Sequence, residues 1–286
     1  MNYYEVKFHI SPLTSDASDL LAALAGEAGF ETFEQSADGL TGYVQQPLFD
    51  QSALDAALQQ FPLPHVTISY TISQADQRDW NEAWEQQGFE PIMVGHRLVI
   101  HDGRHLPSSS AATAIEIDAR MAFGTGTHET TQMVCATLLD LYDDPLDRPG
   151  RVLDCGCGTG ILGIAAMKLG ASECIAYDID EWSVDNTRHN AVINHVEVTP
   201  LLGDSGVLQT VEGTFNLVMA NINRNILLSD MPLFRQKMAP GGWLILSGFY
   251  TCDIPMLTKK AVMLGLSMTA QREANKWACI VLRDSD

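Results

Sequence analysis

Basic residues are scarce in this chain. Its 286 residues hold 17 Lys and Arg against 36 Asp and Glu, a net charge of −19. So acidic a surface repels phosphate backbones, so direct nucleic-acid binding is not expected; it would attract a basic partner, while the plainer reading of the charge alone is that it keeps the protein soluble. Long apolar runs are missing too: no stretch approaches the roughly 20 residues that span a bilayer as a helix. The opening MNYYEVKFHI has no basic region followed by an apolar run, so no signal peptide is expected and the cytoplasm is the expected location. The 6 cysteines follow no framework spacing, and reduced thiols rather than a disulfide scaffold are expected. What remains is an apolar fraction of 46%, ordinary for a globular protein, over a length that suits two domains.

Residues 1–73 read as a small α+β unit. Tyr4, Val6, Phe8 and Ile10 alternate with polar neighbours, which predicts a half-buried strand. A helix is predicted over 16–28, with Leu20, Leu21 and Leu24 on one side, Ser15 as its cap and Gly29 beyond its end. Strands follow at ETFEQ and LTGYVQQ, then a helix over 51–60, then a strand with Val66, Ile68, Tyr70 and Ile72 on one face. The order βαββαβ is the ferredoxin-like plan. Residues 74–88 are polar and place Trp80 and Trp84 one helical turn apart, which predicts a connecting helix. In residues 89–286 short strands give way to regular alternation. RVLDCG precedes ILGIAAMKLG, ECIAYDID precedes EWSVDNTRHNAVINH, FNLVMANI precedes LLSDMPLFRQKMA, and WLILSGF precedes IPMLTKKAVMLG. Strands alternating with helices predict a doubly wound α/β sheet. The final LSMTAQREANKWACIVLRD reads as a hairpin about Glu273-Ala274-Asn275 that adds an antiparallel strand.

VLDCGCGTGILG, residues 152–163, permits three readings. Gly156, Gly158 and Gly160 form G-x-G-x-G, which suits an adenosyl cofactor. Gly158, Gly160 and Gly163 form G-x-G-x-x-G, which suits a dinucleotide. Cys155 and Cys157 raise the question of a metal. In a doubly wound sheet the ligand lies beyond the carboxyl ends of the strands, so this loop is the expected site. Its glycines permit close backbone approach, and the following helix offers free N–H groups. Asp154 suits a cofactor with a cationic amino group and would repel a pyrophosphate. Asp178, at the end of the next strand, can accept both ribose hydroxyls of either cofactor. With the closing hairpin, uncommon in dinucleotide folds, the balance favours the adenosyl reading. A NAD-dependent oxidoreductase and a non-catalytic binding scaffold are the alternatives. The cysteines lack a further Cys or His at ligand spacing and read as packing residues, with no metal expected.

Two more segments carry chemistry. In MAFGTGTHETT, residues 121–131, Gly124 and Gly126 allow close approach to a ligand and Phe123 can pack against it, while Thr127 or His128 can cap the helix that follows. In MANINRN, residues 219–225, Asn221 would point into the cleft, where its amide can accept a hydrogen bond from an amine; a helix-entry role is the alternative. MAFGTGTHETT, VLDCGCGTGILGIAA, DIDEWSVDNTRHNAVIN and ANI, in that order, resemble the family of bacterial ribosomal protein methyltransferases that modify large-subunit protein eleven. The resemblance covers essentially the whole chain. It implies a ferredoxin-like substrate-recognition domain over 1–73, a flexible connector over 74–88, and a class I methyltransferase domain over 89–286 that trimethylates amines of a basic ribosomal protein. Carried onto matching positions, it implies that Thr131, Gly156, Asp178 and Asn221 contact S-adenosyl-L-methionine. Phe123, Gly158 and Asp154 join them from the reading of the residues. Asn221 is expected to orient the amine, with His128 the other candidate to take its proton, and a monomer is expected. The chain departs from the family pattern at Asp118-Ala119-Arg120, where Asp-Pro-Gly is usual, and at Asn223 and Arg224, where apolar residues are usual.

Overall fold

The computed structural model describes all residues except 1–2, 27, 37, 60, 64, 75–87, 108–112, 120–123, 146 and 285–286. The chain divides into two units, Met1–Trp80 and Asn81–Asp286. The connecting helix expected over 74–88, with Trp80 and Trp84, lies outside the described residues except at its two ends.

In the first unit β1 (Tyr3–Ser11), α1 (Ser15–Gly26), β2 (Phe30–Ser36), β3 (Gly39–Gln45), α2 (Gln51–Gln59) and β4 (Thr67–Gln74) follow one another. The strands pair antiparallel in the order β2-β3-β1-β4. Val6, Phe8 and Ile10 of β1 meet Ala17, Leu21 and Ala25 of α1 in one buried cluster, because period two on the strand and period four on the helix each present one apolar face. The helix stops short of the predicted residue 28. The chain then turns through Gly29 at φ +97°, where a Cβ would sit 2.3 Å from the carbonyl oxygen of Leu48, so only glycine fits. β4 has the cleanest alternation in the sequence yet lies at the sheet edge. Within this unit its Ile68 and Tyr70 are half-buried and Ile72 is exposed.

The second unit begins with a small sheet of β5 (Ile92–Val94), β6 (Leu98–His101) and β7 (Thr113–Glu116). Then α3 (Glu129–Leu141), β8 (Arg151–Cys155), α4 (Ile161–Leu169), β9 (Glu173–Asp178), α5 (Glu181–Ile193), β10 (Thr199–Leu202), β11 (Phe215–Asn221), α6 (Arg224–Lys237), β12 (Met238–Tyr250), α7 (Ile254–Met263), β13 (Leu266–Ala274) and β14 (Trp277–Asp284) build a seven-stranded sheet. Its order is β10-β9-β8-β11-β12-β14-β13. All pairs from β10 to β12 are parallel, and β14 runs antiparallel to both neighbours. Val152 joins the buried cluster that holds Met133 and Leu138 of α3 and Ile164 of α4. The next residue, Leu153, joins the cluster of Leu227 and Phe234 of α6 and Leu257 of α7. Successive strand residues thus feed opposite helical layers, which is why these strands read as continuous apolar runs.

Three local details differ from the sequence pattern. β10 was not expected, since TPLL shows no alternation; as the edge strand it accommodates Pro200, a residue that cannot donate to a ladder on both sides. α6 starts at Arg224, ahead of the LLSDMPLFRQKMA segment read as helix, because the Asn223 side chain accepts from the amides of Asn225 (3.1 Å) and Ile226 (3.2 Å) and caps the helix. The closing turn sits at Asn275 and Lys276, both left-handed (φ 47° and 72°), the twist a two-residue hairpin turn prefers. Among the described residues no helix is long and apolar enough to cross a membrane.

Candidate active site

The chain runs outward from β8 through β9 to β10, then returns to β11 on the other side of β8. The strand order reverses there, and the crevice at the carboxyl ends is where such sheets hold ligands. The loop after β8 lines it. The amides of Gly156 and Cys157 both donate to the carbonyl of Tyr177 (2.9 and 3.0 Å), so the loop is tied to the end of β9. Gly158 N–H donates to Asp178 Oδ2 at 2.9 Å, and the Thr187 hydroxyl donates to the Gly158 carbonyl at 3.0 Å. Gly156 lies at φ +70° with its Cβ position 2.4 Å from Ile222 Cγ2; a side chain would collide there. Gly160, at φ +80°, begins α4 and packs against Thr187 at a distance no side chain allows, 2.8 Å from the Cβ position.

This loop floors a cavity of about 360 Å³. Gly124 and Thr131 contribute from one side, Asp178 and Ile179 from the end of β9 and the residue after it, and Asn221 and Ile222 likewise at β11. Thr131 Oγ1 and Asn221 Oδ1 are buried without a hydrogen-bond partner among the described residues. Buried polar atoms are nearly always paired, so two orphans on one cavity wall mark contacts reserved for a ligand. Asp178, Asp204 and Asp230 face the same space, and no Lys or Arg does among the described residues. Such a wall suits a cation and sugar hydroxyls and opposes a pyrophosphate. Asp178 Oδ1 accepts from Asp180 N–H at 3.1 Å, and each of its oxygens retains a lone pair for a ribose hydroxyl. The donor set fits S-adenosylmethionine, with its sulfonium, ammonium and ribose.

Of the residues singled out in the sequence, Thr131, Gly156, Gly158, Asp178 and Asn221 line this one cavity. Phe123 lies outside the described residues. Asp154 requires a correction. It does not line the cavity; it is 1% exposed, beneath the loop, and its Oδ2 accepts from Gly163 N–H of α4 at 2.9 Å. The acidity it was expected to bring comes from Asp204 and Asp230, which lie far from the glycine motif in sequence. Burial pushes the Asp154 carboxyl up to about 7, opposed by the Gly163 hydrogen bond and reinforced by the charge of Asp178. Gly163 packs against the sheet, its Cβ position 2.8 Å from Cys174 Sγ, so the third glycine of the dinucleotide reading serves packing. Cys155, Cys157 and Cys174 are buried free thiols, raised above their ordinary value by that burial.

His128 caps α3, accepting from Thr130 N–H at 3.2 Å. Its ring stands edge-on to Trp277 at 4.8 Å, and it is not part of the cavity wall. Trp277 stacks on Tyr250 at 4.3 Å. That pair borders a second, more open groove of about 420 Å³ with Asn223, Arg224 and Asp253. Asn223 lines both spaces, so the aromatic shelf adjoins the cavity mouth. Arg224 is held by Asp253 at 2.9 Å, which accounts for a polar pair where apolar residues are usual. The sequence offered no local signal for the shelf, whose rings come from β12 and β14.

A mostly parallel sheet closed by an antiparallel hairpin, with an acidic cavity at its switch point, is the architecture of a class I, Rossmann-like methyltransferase. Comparison narrows the class. The family model "Ribosomal protein L11 methyltransferase (PrmA)" matches residues 25–285. A ribosomal protein L11 methyltransferase of Bacteroides thetaiotaomicron is 46% identical over 283 residues, 98% of this chain and 99% of the relative. Its counterpart in Porphyromonas gingivalis is 43% identical over 266 residues, 92% and 90% of the two chains. The crystal structure of a ribosomal protein L11 methylase from Lactobacillus delbrueckii subsp. bulgaricus superposes with a TM-score of 0.61 at 27% identity, covering 68% of this chain and 98% of that one. The chain belongs to the ribosomal protein L11 methyltransferase family.

Proposed function

We propose that this protein transfers methyl groups from S-adenosyl-L-methionine to lysine and N-terminal amines of ribosomal protein L11. The observation that carries the reading is the pair of orphaned buried oxygens, Thr131 Oγ1 and Asn221 Oδ1, on a cavity whose charged wall residues are carboxylates. Thr131, the backbone at Gly156 and Gly158, and the Asp178 carboxylate would hold the cofactor. Bound there, S-adenosylmethionine supplies an electrophilic methyl group on a sulfonium. Asn221 Oδ1, unpaired among the described residues at the cavity wall, accepts a hydrogen bond from the incoming amine and would orient its lone pair into the cavity, the kind of alignment that makes a bimolecular transfer effectively intramolecular. A lysine ammonium has a pKa of about 10.4 and must lose its proton first; entry into a desolvated cavity favours the neutral form. No dedicated base is assigned, and His128 serves as a helix cap.

The first unit is read as a ferredoxin-like domain that recognises the substrate. Support comes from its βαββαβ order with β1 and β3 central in an antiparallel sheet. The net charge of −19 draws in a basic ribosomal protein, and the protein acts as a cytoplasmic monomer. Incubation of radiolabelled S-adenosylmethionine with purified ribosomal proteins tests the assignment. Label on L11 amines is expected. Label elsewhere, or cofactor binding without transfer, refutes it, the latter in favour of a scaffold.

A further inference from the structure

We propose that Asn190, which does not line the cavity, is a positioning residue that locks the two cofactor-binding loops in register; this rests on reading that cavity as the S-adenosylmethionine site. The buried side of α5 carries Asn186 and Asn190, with Asn194 at its C-terminal cap, at intervals of four residues, and Asn190 is fully enclosed. Together they bind an extended segment as a strand would. Asn194 accepts from Glu116 N–H at 3.0 Å and donates to the Glu116 carbonyl at 2.6 Å. Asn190 accepts from Asp118 N–H at 3.0 Å, and Asn186 donates to the Asp118 carbonyl at 2.8 Å. Side-chain amides thus stand in for peptide groups along residues 116–118, the segment that leads to Gly124.

Asn190 does one thing more. Its Nδ2 donates to the carbonyl of Thr159 in the glycine loop at 2.9 Å. Thr159 in turn donates its hydroxyl to the Gly124 carbonyl at 2.6 Å, and a Cβ at Gly124 would lie 2.8 Å from that hydroxyl. One side chain therefore joins the approach to the Gly124 loop with the glycine loop, and the two loops are clasped again across the cavity edge. Apolar contacts would let the segment slide along α5. Buried amides permit only the register in which each finds its partner, because an unpaired one is costly. The cavity dimension between Gly124 and Gly158 is set by that register.

The full-length chain tests this through two variants of similar chemistry. Asn194→Ala removes an amide that holds Glu116 and the Asn190 carbonyl but does not touch the glycine loop; Asn190→Ala removes the one that reaches that loop. In the ligand-free protein, hydrogen exchange should rise in peptides spanning both 113–128 and 156–162 for Asn190→Ala, and only around 113–119 for Asn194→Ala. By calorimetry Asn190→Ala should bind S-adenosylmethionine about tenfold more weakly, as loss of its buried hydrogen bonds to Asp118, Thr159 and Asn186 implies, and Asn194→Ala within about threefold of wild type. Equal weakening in the two variants would show mere structural damage and overturn the proposal, as would unchanged affinity in Asn190→Ala. If that variant fails to fold, Asn190→Asp, which keeps the acceptor and loses the donor to Thr159, and Thr159→Val, which loses the clasp on Gly124, should each give the same loss; unchanged affinity in both overturns it. A wild-type protein that does not bind S-adenosylmethionine would refute the cofactor assignment instead, and the exchange pattern would still decide the coupling.

Discussion

Asp154→Asn should make the protein more stable above neutral pH and change how its stability depends on pH. The wild-type carboxyl is 1% exposed; one oxygen accepts from Gly163 N–H at 2.9 Å, and the other has no partner among the described residues. Burial is the largest influence on it and lifts it from 3.8 to about 7. The folded state therefore keeps a proton that the unfolded chain releases, and stability falls as pH rises through that window. Each tenfold change in proton affinity is worth about 1.4 kcal/mol, so the full cost above pH 7 is on the order of 4 kcal/mol. The sequence pI of 4.6 makes work near the lower end impractical. Between pH 5.5 and 8 about 2 kcal/mol of that cost should appear, roughly 4–8 °C in Tm for a domain of this size. Asparagine keeps the acceptor for Gly163 and carries no charge, so it escapes this loss. Urea unfolding of both proteins without ligand, at several pH values across that range, isolates the effect as a widening difference in favour of the variant. Parallel pH curves would refute the reasoning, and would mean that Asp154 titrates as an ordinary carboxyl despite its enclosure.

Asn221→Ala should lower turnover on the order of a hundredfold, in the range seen when one preorganised polar contact is lost, with cofactor affinity much less affected; near-wild-type turnover in a single-turnover assay would dismiss its role in orienting the amine. Trp277→Ala should raise KM for the protein substrate and leave S-adenosylmethionine binding unchanged, because the Tyr250–Trp277 shelf adjoins the cavity mouth without lining the cavity; an unchanged KM would show that the shelf does not contact the substrate. Gly163→Ala should cost about 1–3 kcal/mol by overpacking against Cys174 Sγ, 2.8 Å from the new Cβ position. Adding Cys174→Ala should recover part of that cost, and strict additivity of the two changes in thermal unfolding would contradict the contact. Affinity for L11 should fall as salt rises, since an acidic surface attracts a basic partner through screened charges; a titration indifferent to ionic strength would remove the charge argument.

The sequence by itself determined the elements whose signal is local. Alternation of apolar residues marked β1, the switch to strand–helix repeats marked the α/β region, and glycines at 156, 158 and 160 marked a loop whose backbone must turn left-handed. The residues of MAFGTGTHETT and ANI supplied Thr131 and Asn221. Other features needed the strand order. In sequence Asp154 and Asp178 are alike, each a carboxylate at the end of a strand beside the glycine loop. Only the sheet decides that Asp178 faces the cavity while Asp154 points beneath it toward Gly163. Asp204, just past β10, and Asp230, on α6 after β11, replace Asp154 as sources of cavity charge because β9, β10 and β11 end on the same edge of the sheet and α6 packs back beside it, a proximity no spacing encodes. The Tyr250–Trp277 shelf exists because β14 inserts antiparallel beside β12 and pairs those two residues directly. The clasp from Asn190 to Thr159 and Gly124 joins three stretches that meet only when α5 packs against the loop. Periodicity and backbone conformation are properties of neighbours in the chain, so the sequence carries them openly. Which side chain faces a cavity, and which carboxyl loses its water, are properties of neighbours in space, and the packed sheet alone creates those.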